Sequence, residues 1–278
     1  MNRPRMIAVL PTMLTLANAA CGFGAITFAA KLGPESAAGN HLLVASLLIF
    51  LGMIFDMLDG SAARLTKQTS DIGAQLDSLC DAITFGVAPA FVMLQFVRHE
   101  YLDPRDSAYF TGYLGRIVWT AAALYVLCAV MRLARFNVET DDEDAHEIFS
   151  GLPSPAAAGT LVSFPIGMRE LLRIVENTQS QWLATWLIPG TKIVLVLMTL
   201  AVAFLMVSRT PYPHVFNQWF RGQRTRRHIV QLVFIFAAVY WFLELAFPLI
   251  FCYFALAAPA RAAWSELVGR RLYKSQRA

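Results

Sequence analysis

Charge is what this 278-residue chain has least of: Asp, Glu, Lys and Arg make up 15% of it, against about 25% in soluble domains. With 57% hydrophobic residues and a mean hydropathy of +0.51, that scarcity argues against a soluble globular protein and against a disordered one. Cysteine is also sparse. Cys21, Cys80, Cys128 and Cys252 all fall inside apolar blocks at unrelated spacings, which excludes a disulfide framework and a cysteine zinc site and leaves them as packing residues. The five histidines show no metal-ligand spacing. No internal repeat is present, and the one biased stretch, the acidic run Glu139–Asp144, reads as a solvated loop.

What the chain does have is long apolar runs. The first begins behind Arg3 and Arg5, and Ala17-Asn18-Ala19 resembles the cleavage site of a secretory leader. The run continues to Ala30, however, long enough to cross a bilayer, so a first membrane span is expected instead. Further blocks follow at His41–Met57, Leu79–Val97, Gly112–Leu133, Pro155–Leu172, Trp186–Val207 and His228–Pro259. The last has 32 residues, with Glu244 and Pro248 near its middle as a turn between two spans. Charge placement favours that division. With the amino terminus inside and eight crossings, 16 of the 23 Lys and Arg fall on the cytoplasmic side, whereas seven crossings give 11 against 12 and erase the positive-inside bias. The same topology accounts for the net charge of +4 and the pI near 9.0, so no nucleic-acid partner is expected. The expected fold is therefore an all-α integral membrane protein of about eight transmembrane helices. Residues 1–208 are expected to form its transmembrane core, 209–227 a basic cytoplasmic linker and 228–278 a carboxy-terminal helical pair with a basic tail. In the linker, five arginines interleaved with Tyr212, Phe216, Trp219 and Phe220 have the composition of a segment lying on anionic lipid.

The chemistry concentrates in Phe55–Phe85, FDMLDGSAARLTKQTSDIGAQLDSLCDAITF. One apolar block runs into Asp56 and Asp59, and the next begins with Asp77 and Asp81. Carboxylates at a membrane boundary are costly to bury unless paired or metal-bound. The spacings i, i+3 and i, i+4 put each pair on one helix face, and a short connection makes the helices antiparallel neighbours, so the two faces converge. Four converging carboxylates repel one another unless cations neutralise them, and hard oxygen ligands select Mg²⁺, Mn²⁺ or Ca²⁺. Two such ions suit an in-line phosphoryl displacement and imply a phosphate substrate. Gly60, Ala63 and Gly73 leave room for a bulky ligand, and Arg64 offers a planar donor fork for phosphate. The plainer reading, helix caps and loop charges, suits a lone Asp such as Asp71 at the start of the third helix.

The order D-x2-D-G-x2-A-R-x8-G-x3-D-x3-D is met without a gap by Asp56, Asp59, Gly60, Ala63, Arg64, Gly73, Asp77 and Asp81. This resembles the signature of the CDP-alcohol phosphatidyltransferases. The resemblance implies a membrane enzyme with six core helices, usually dimeric, which transfers a phosphatidyl group from CDP-diacylglycerol to an alcohol and releases CMP. It further implies a bacterial inner membrane with the site facing the cytoplasm. Carried over, Asp56, Asp59, Asp77 and Asp81 surround two divalent cations, Mg²⁺ or Mn²⁺, and Asp81 is the general base; Gly60, Ala63, Arg64 and Gly73 border the donor. Asn18 resembles a residue lining the nucleotide pocket, and as a lone polar residue in a span it is equally suited to bonding another helix.

Three more stretches resemble the phosphatidylserine synthase branch of that family: Asp77–Ala90, Arg132–Asn137 (RLARFN) and Gly151–Gly159 (GLPSPAAAG); Val207–Pro213 is a weaker likeness. L-serine is then the implied acceptor. Independently of family, Arg132 and Arg135 lie i, i+3 at the cytoplasmic end of the fourth span, and with Asn137 they suit the serine carboxylate. Membrane anchoring by snorkelling explains the same arginines. Pro153 and Pro155 fit a helix start capped by Ser150 or Ser154. The rival acceptors are glycerol 3-phosphate, inositol phosphate and choline; the rival class is a cation-coupled transporter, whose intramembrane carboxylates bind the transported ion.

Overall fold

The computed structural model describes residues 3–31, 38–66, 71–99, 112–140, 151–178, 181–208, 210 and 243–275. Among them every element is helical: α1 (Arg3–Ala30), α2 (Ala38–Thr66), α3 (Asp71–Asp81), a π-helical segment (Ala82–Val87), α4 (Ala88–Arg98), α5 (Tyr113–Thr140), α6 (Ser154–Thr178), α7 (Gln181–Val207) and α8 (Leu243–Ser275). α3 opens at Asp71, and α3, the π-helical segment and α4 follow one another without a break. Helices are what a bilayer demands, because lipid offers the backbone amides no partner. Six segments are long and apolar enough to cross a membrane: Pro11–Ala30, Asn40–Ala62, Ile72–Arg98, Tyr113–Val138, Thr185–Val207 and Glu244–Arg261. The chain is an integral membrane protein. Hydroxyls within these spans turn back on their own helix, Ser46 to the Leu42 carbonyl and Thr199 to that of Leu195, which satisfies them without water.

α6 was expected as an ordinary span and is not one of the six. Its residues 157–168 are all buried, Thr160 and Ser163 included. It is the helix enclosed by the others, packed against α2, α4, α7 and α8, so it has no need of the hydropathy that lipid contact imposes. Large apolar side chains instead face outward on the surrounding helices, as Phe23, Leu127 and Phe204 do.

The end of the chain departs from the expected turn at Glu244 and Pro248. Within the described residues α8 runs from Leu243 through Pro248 without a break, the proline forgoing only the one backbone bond that its amide would have made to the Glu244 carbonyl. The other half of the expected pair lies outside the described residues. α8 is antiparallel to α6: Phe251 lies against Gly159, and Pro248 and the Glu244 carbonyl lie against Gly167. Leu243 therefore sits towards the Thr178 end of α6. The end of α7 is at the opposite end, where the amides of Gly151 and Leu152 donate to the carbonyls of Thr210 (3.0 Å) and Leu205 (3.1 Å). Gly151 holds a φ of +95°, and a side chain there would collide with the Met206 carbonyl, so only glycine fits the junction.

Lys192 in α7 is fully buried and donates from Nζ to the His99 carbonyl at 2.8 Å. It caps the carboxyl end of α4, where helix carbonyls lack intrahelical partners.

Two glycine substitutions are expected to act in opposite directions. Gly159→Ala drives a methyl group into the Phe251 ring and should lower stability by about 1–3 kcal/mol. Gly190→Ala, with nothing within 4 Å of the added carbon, should gain up to about 1 kcal/mol of helix propensity. Thermal unfolding midpoints in detergent check both.

Candidate metal and phosphate site

The last turns of α2 and the first of α3 bring three aspartates together. One carboxylate oxygen from each of Asp56, Asp59 and Asp77 lies within 4.8 Å of the others. Asp59 is buried, and its Oδ2 and the Oδ1 of Asp77 are shielded from solvent with no hydrogen-bond partner among the described residues. Buried acceptors of like charge, left unpaired and facing one another, are unstable without a counterion. An all-oxygen set of this kind fits hard divalent cations, so these carboxylates form a cluster able to hold metal ions.

Asp81 lies one turn further along α3 and outside that triangle. Asn18 of α1, fully buried, donates from Nδ2 to Asp81 Oδ1 at 2.9 Å. Contact with another helix, one of the two roles considered for Asn18, is thus present. Its Oδ1 is buried and unpartnered among the described residues. The π-helical segment starts immediately after Asp81, and its altered hydrogen bonding is met from neighbouring helices. The Tyr125 hydroxyl donates to the Phe85 carbonyl at 2.8 Å, and the Thr84 hydroxyl to the Asn18 carbonyl at 2.9 Å. Close backbone approach makes this possible. A Cβ on Gly52 would stand 2.7 Å from Thr84 Cγ2 and 2.9 Å from Asn18 Oδ1, and one on Gly22 would stand 2.6 Å from Thr84 Oγ1.

Of the residues expected to border a donor, Gly60 is exposed with open space where a side chain would be, and Gly73 sits one turn ahead of Asp77. Ala63 and Arg64 belong to the last turn of α2; their side chains lie outside the described residues. Of the residues expected to meet an acceptor, Arg132 is half-buried. Its Nη1 donates to Ser154 Oγ at 2.6 Å, and its Nε is buried without a partner among the described residues. Asp81 and Tyr125 are the groups with which it interacts electrostatically. Arg135 is half-buried one turn on. Asn137 accepts a 3.0 Å hydrogen bond from Ser78, tying α5 to α3 beside Asp77. Ser154, first considered as a helix cap, spends an acceptor position on Arg132. Thr84, Tyr125, Gly22 and Gly52 were not singled out from sequence. Only Thr84, a hydroxyl inside an apolar block, carried a local sign of its role.

The fold and site define a polytopic membrane protein with an acidic cluster able to hold cations. The family model of the CDP-alcohol phosphatidyltransferases matches residues 8–260, and the chain belongs to that family. Among curated relatives, the CDP-diacylglycerol–serine O-phosphatidyltransferase of Mycobacterium tuberculosis is 33% identical over 196 residues, 68% of this chain and 59% of that one. The protein of the same name from Bacillus subtilis is 33% identical over 205 residues, 74% of this chain and 90% of that one. Archaetidylserine synthase of Methanothermobacter thermautotrophicus is 31% identical over 208 residues, 74% of this chain and 70% of that one. The chain spans about three fifths of the length of the mycobacterial relatives it matches.

Gly52→Ala tests the approach of α1, α2 and the π-helical segment. In an unconstrained helix the change is favourable by about 1 kcal/mol; here the methyl group displaces Asn18 from Asp81, and any site function should fall at least about tenfold. Activity of the purified variant, compared with Gly190→Ala, checks this.

Proposed function

We propose that this protein transfers the phosphatidyl group of CDP-diacylglycerol to the hydroxyl of L-serine, giving phosphatidylserine and CMP. The observation that carries the reading is the carboxylate triangle with Asp81 one turn away, in a chain of the CDP-alcohol phosphatidyltransferase family. Serine is supported by the names of the relatives, two of which share that acceptor while differing in the lipid they make.

Asp56, Asp59 and Asp77, with Asp81 as fourth carboxylate, would hold two divalent cations, Mg²⁺ or Mn²⁺. Bound there, such ions supply charge neutralisation for a pyrophosphate and for the departing CMP. The chain's own residues do the rest. Gly60 leaves the approach open, and Ala63, Arg64 and Gly73 border the donor, whose acyl chains stay in the bilayer. Asn18 occupies Asp81 Oδ1, so Oδ2 is the oxygen left to take the acceptor proton. Written as a direct displacement, the serine hydroxyl oxygen forms a bond to the phosphatidyl phosphorus as the phosphorus–oxygen bond to CMP breaks, and the hydroxyl proton passes to Asp81. Arg132, Arg135 and Asn137 stand on the acceptor side, where an Arg pairs with the serine carboxylate. The excess of Lys and Arg at the carboxylate end supports a cytoplasmic site, and the family likeness supports a homodimer in a bacterial inner membrane.

Asp81→Asn should lower phosphatidyl transfer at least about 100-fold while leaving metal-dependent binding of CDP-diacylglycerol largely intact. Measuring lipid product by mass spectrometry alongside donor binding decides the matter: near-normal turnover removes Asp81 as the base. Chelation should abolish transfer by the wild-type protein, and Mn²⁺ or Mg²⁺ should restore it.

A further inference from the structure

The least settled group near the site is the Arg132 guanidinium. An arginine carries five N–H donors in a rigid fork, and here one nitrogen is committed while another is stranded. Nη1 is held by Ser154 at 2.6 Å, and Nε is buried without a partner among the described residues. Ser154 is fully buried at the first position of α6. Its place is fixed in turn by the Gly151 and Leu152 amides bonded to the end of α7. A long side chain that would otherwise sample many rotamers is therefore anchored at one corner of its fork, with the Nε edge left for something else. Arg132 and Asp81 interact electrostatically without forming an ion pair.

We propose that Ser154 is a positioning residue that turns Arg132 into a carboxylate receptor, its Nε edge pairing with the acceptor's carboxylate so that the hydroxyl two carbons away meets Asp81. This rests on the transferase reading above and narrows it: the acceptor class is small 3-hydroxy carboxylates, and an alcohol lacking the carboxylate is rejected. Ser154 touches no substrate; it sets which edge of Arg132 is presented. The discrimination follows because an acceptor without a carboxylate leaves the buried Nε unpaired.

The test uses the full-length protein in detergent with CDP-diacylglycerol and Mn²⁺, reading CMP release with L-serine, with ethanolamine (serine without its carboxylate) and with 3-hydroxypropionate (serine without its ammonium). For the wild type, kcat/KM should favour L-serine over ethanolamine by at least about 100-fold, with 3-hydroxypropionate between them. Ser154→Ala should raise the KM for serine about tenfold or more and shrink the preference over ethanolamine by the same factor, with the KM for CDP-diacylglycerol unchanged within about twofold. Ser154→Thr, which keeps the hydroxyl, should restore the wild-type pattern. An unaltered serine preference in Ser154→Ala overturns the proposal, as does a parallel rise in both KM values that threonine fails to rescue, which marks a merely structural role. Should the alanine variant not fold, the wild-type comparison still decides: equal use of ethanolamine and serine overturns it. A wild-type protein that releases CMP with ethanolamine and not with serine overturns the carboxylate receptor while leaving the donor chemistry standing; release with no alcohol overturns the transferase reading and this inference with it.

Discussion

Three carboxylates, of one buried and two half-buried aspartates, within 4.8 Å of one another set the terms for the rest of the molecule. Their mutual repulsion and lost hydration disfavour this arrangement in the absence of cations, so the helices that carry them must be held in place by other means. That burden falls on α1 and α5. α1 contributes Asn18 to Asp81, and α5 contributes Tyr125 to the Phe85 carbonyl and Asn137 to Ser78. Each bond lies within a few residues of an aspartate, so the cluster sits on a framework whose polar groups are satisfied by neighbours rather than by water.

The π-helical segment belongs to the same logic. Placed directly after Asp81, it shifts the facing of all that follows on that rod, so that Thr84 meets α1 and Phe85 meets α5. α6 then acts as the central post. Enclosed on its sides, it tolerates Ser154, Thr160 and Ser163 in its interior face, and it carries the hydroxyl that holds Arg132. α8 closes over it through Gly159, which links α8 to the helix that carries Ser154.

Residue spacing made Asp56, Asp59, Asp77 and Asp81 legible in advance, because i, i+3 and i, i+4 repeats on two short-linked helices admit one arrangement. Their division into a triangle and an outlying Asp81 was not legible, since it depends on Asn18, 63 residues away in sequence. Hydropathy located the lipid-facing helices, and the apolar block at Pro155–Leu172 falls within α6, whose surroundings are protein. Proline misled at position 248, where the helix continues through the residue instead of turning. Gly22 and Gly52 carried no sign in the sequence at all: their importance is a distance to Thr84, and distances between helices are tertiary facts.

The central claim is that this carboxylate site handles a CDP-linked lipid with divalent cations and passes its phosphatidyl group to an alcohol. The most direct measurement is CMP release by the detergent-purified protein given CDP-diacylglycerol, with and without Mn²⁺ or Mg²⁺, while L-serine, glycerol 3-phosphate, inositol phosphate and choline are supplied one at a time. The account predicts release that requires both the cation and L-serine. A protein that neither binds nor turns over the donor in the presence of either cation would contradict it.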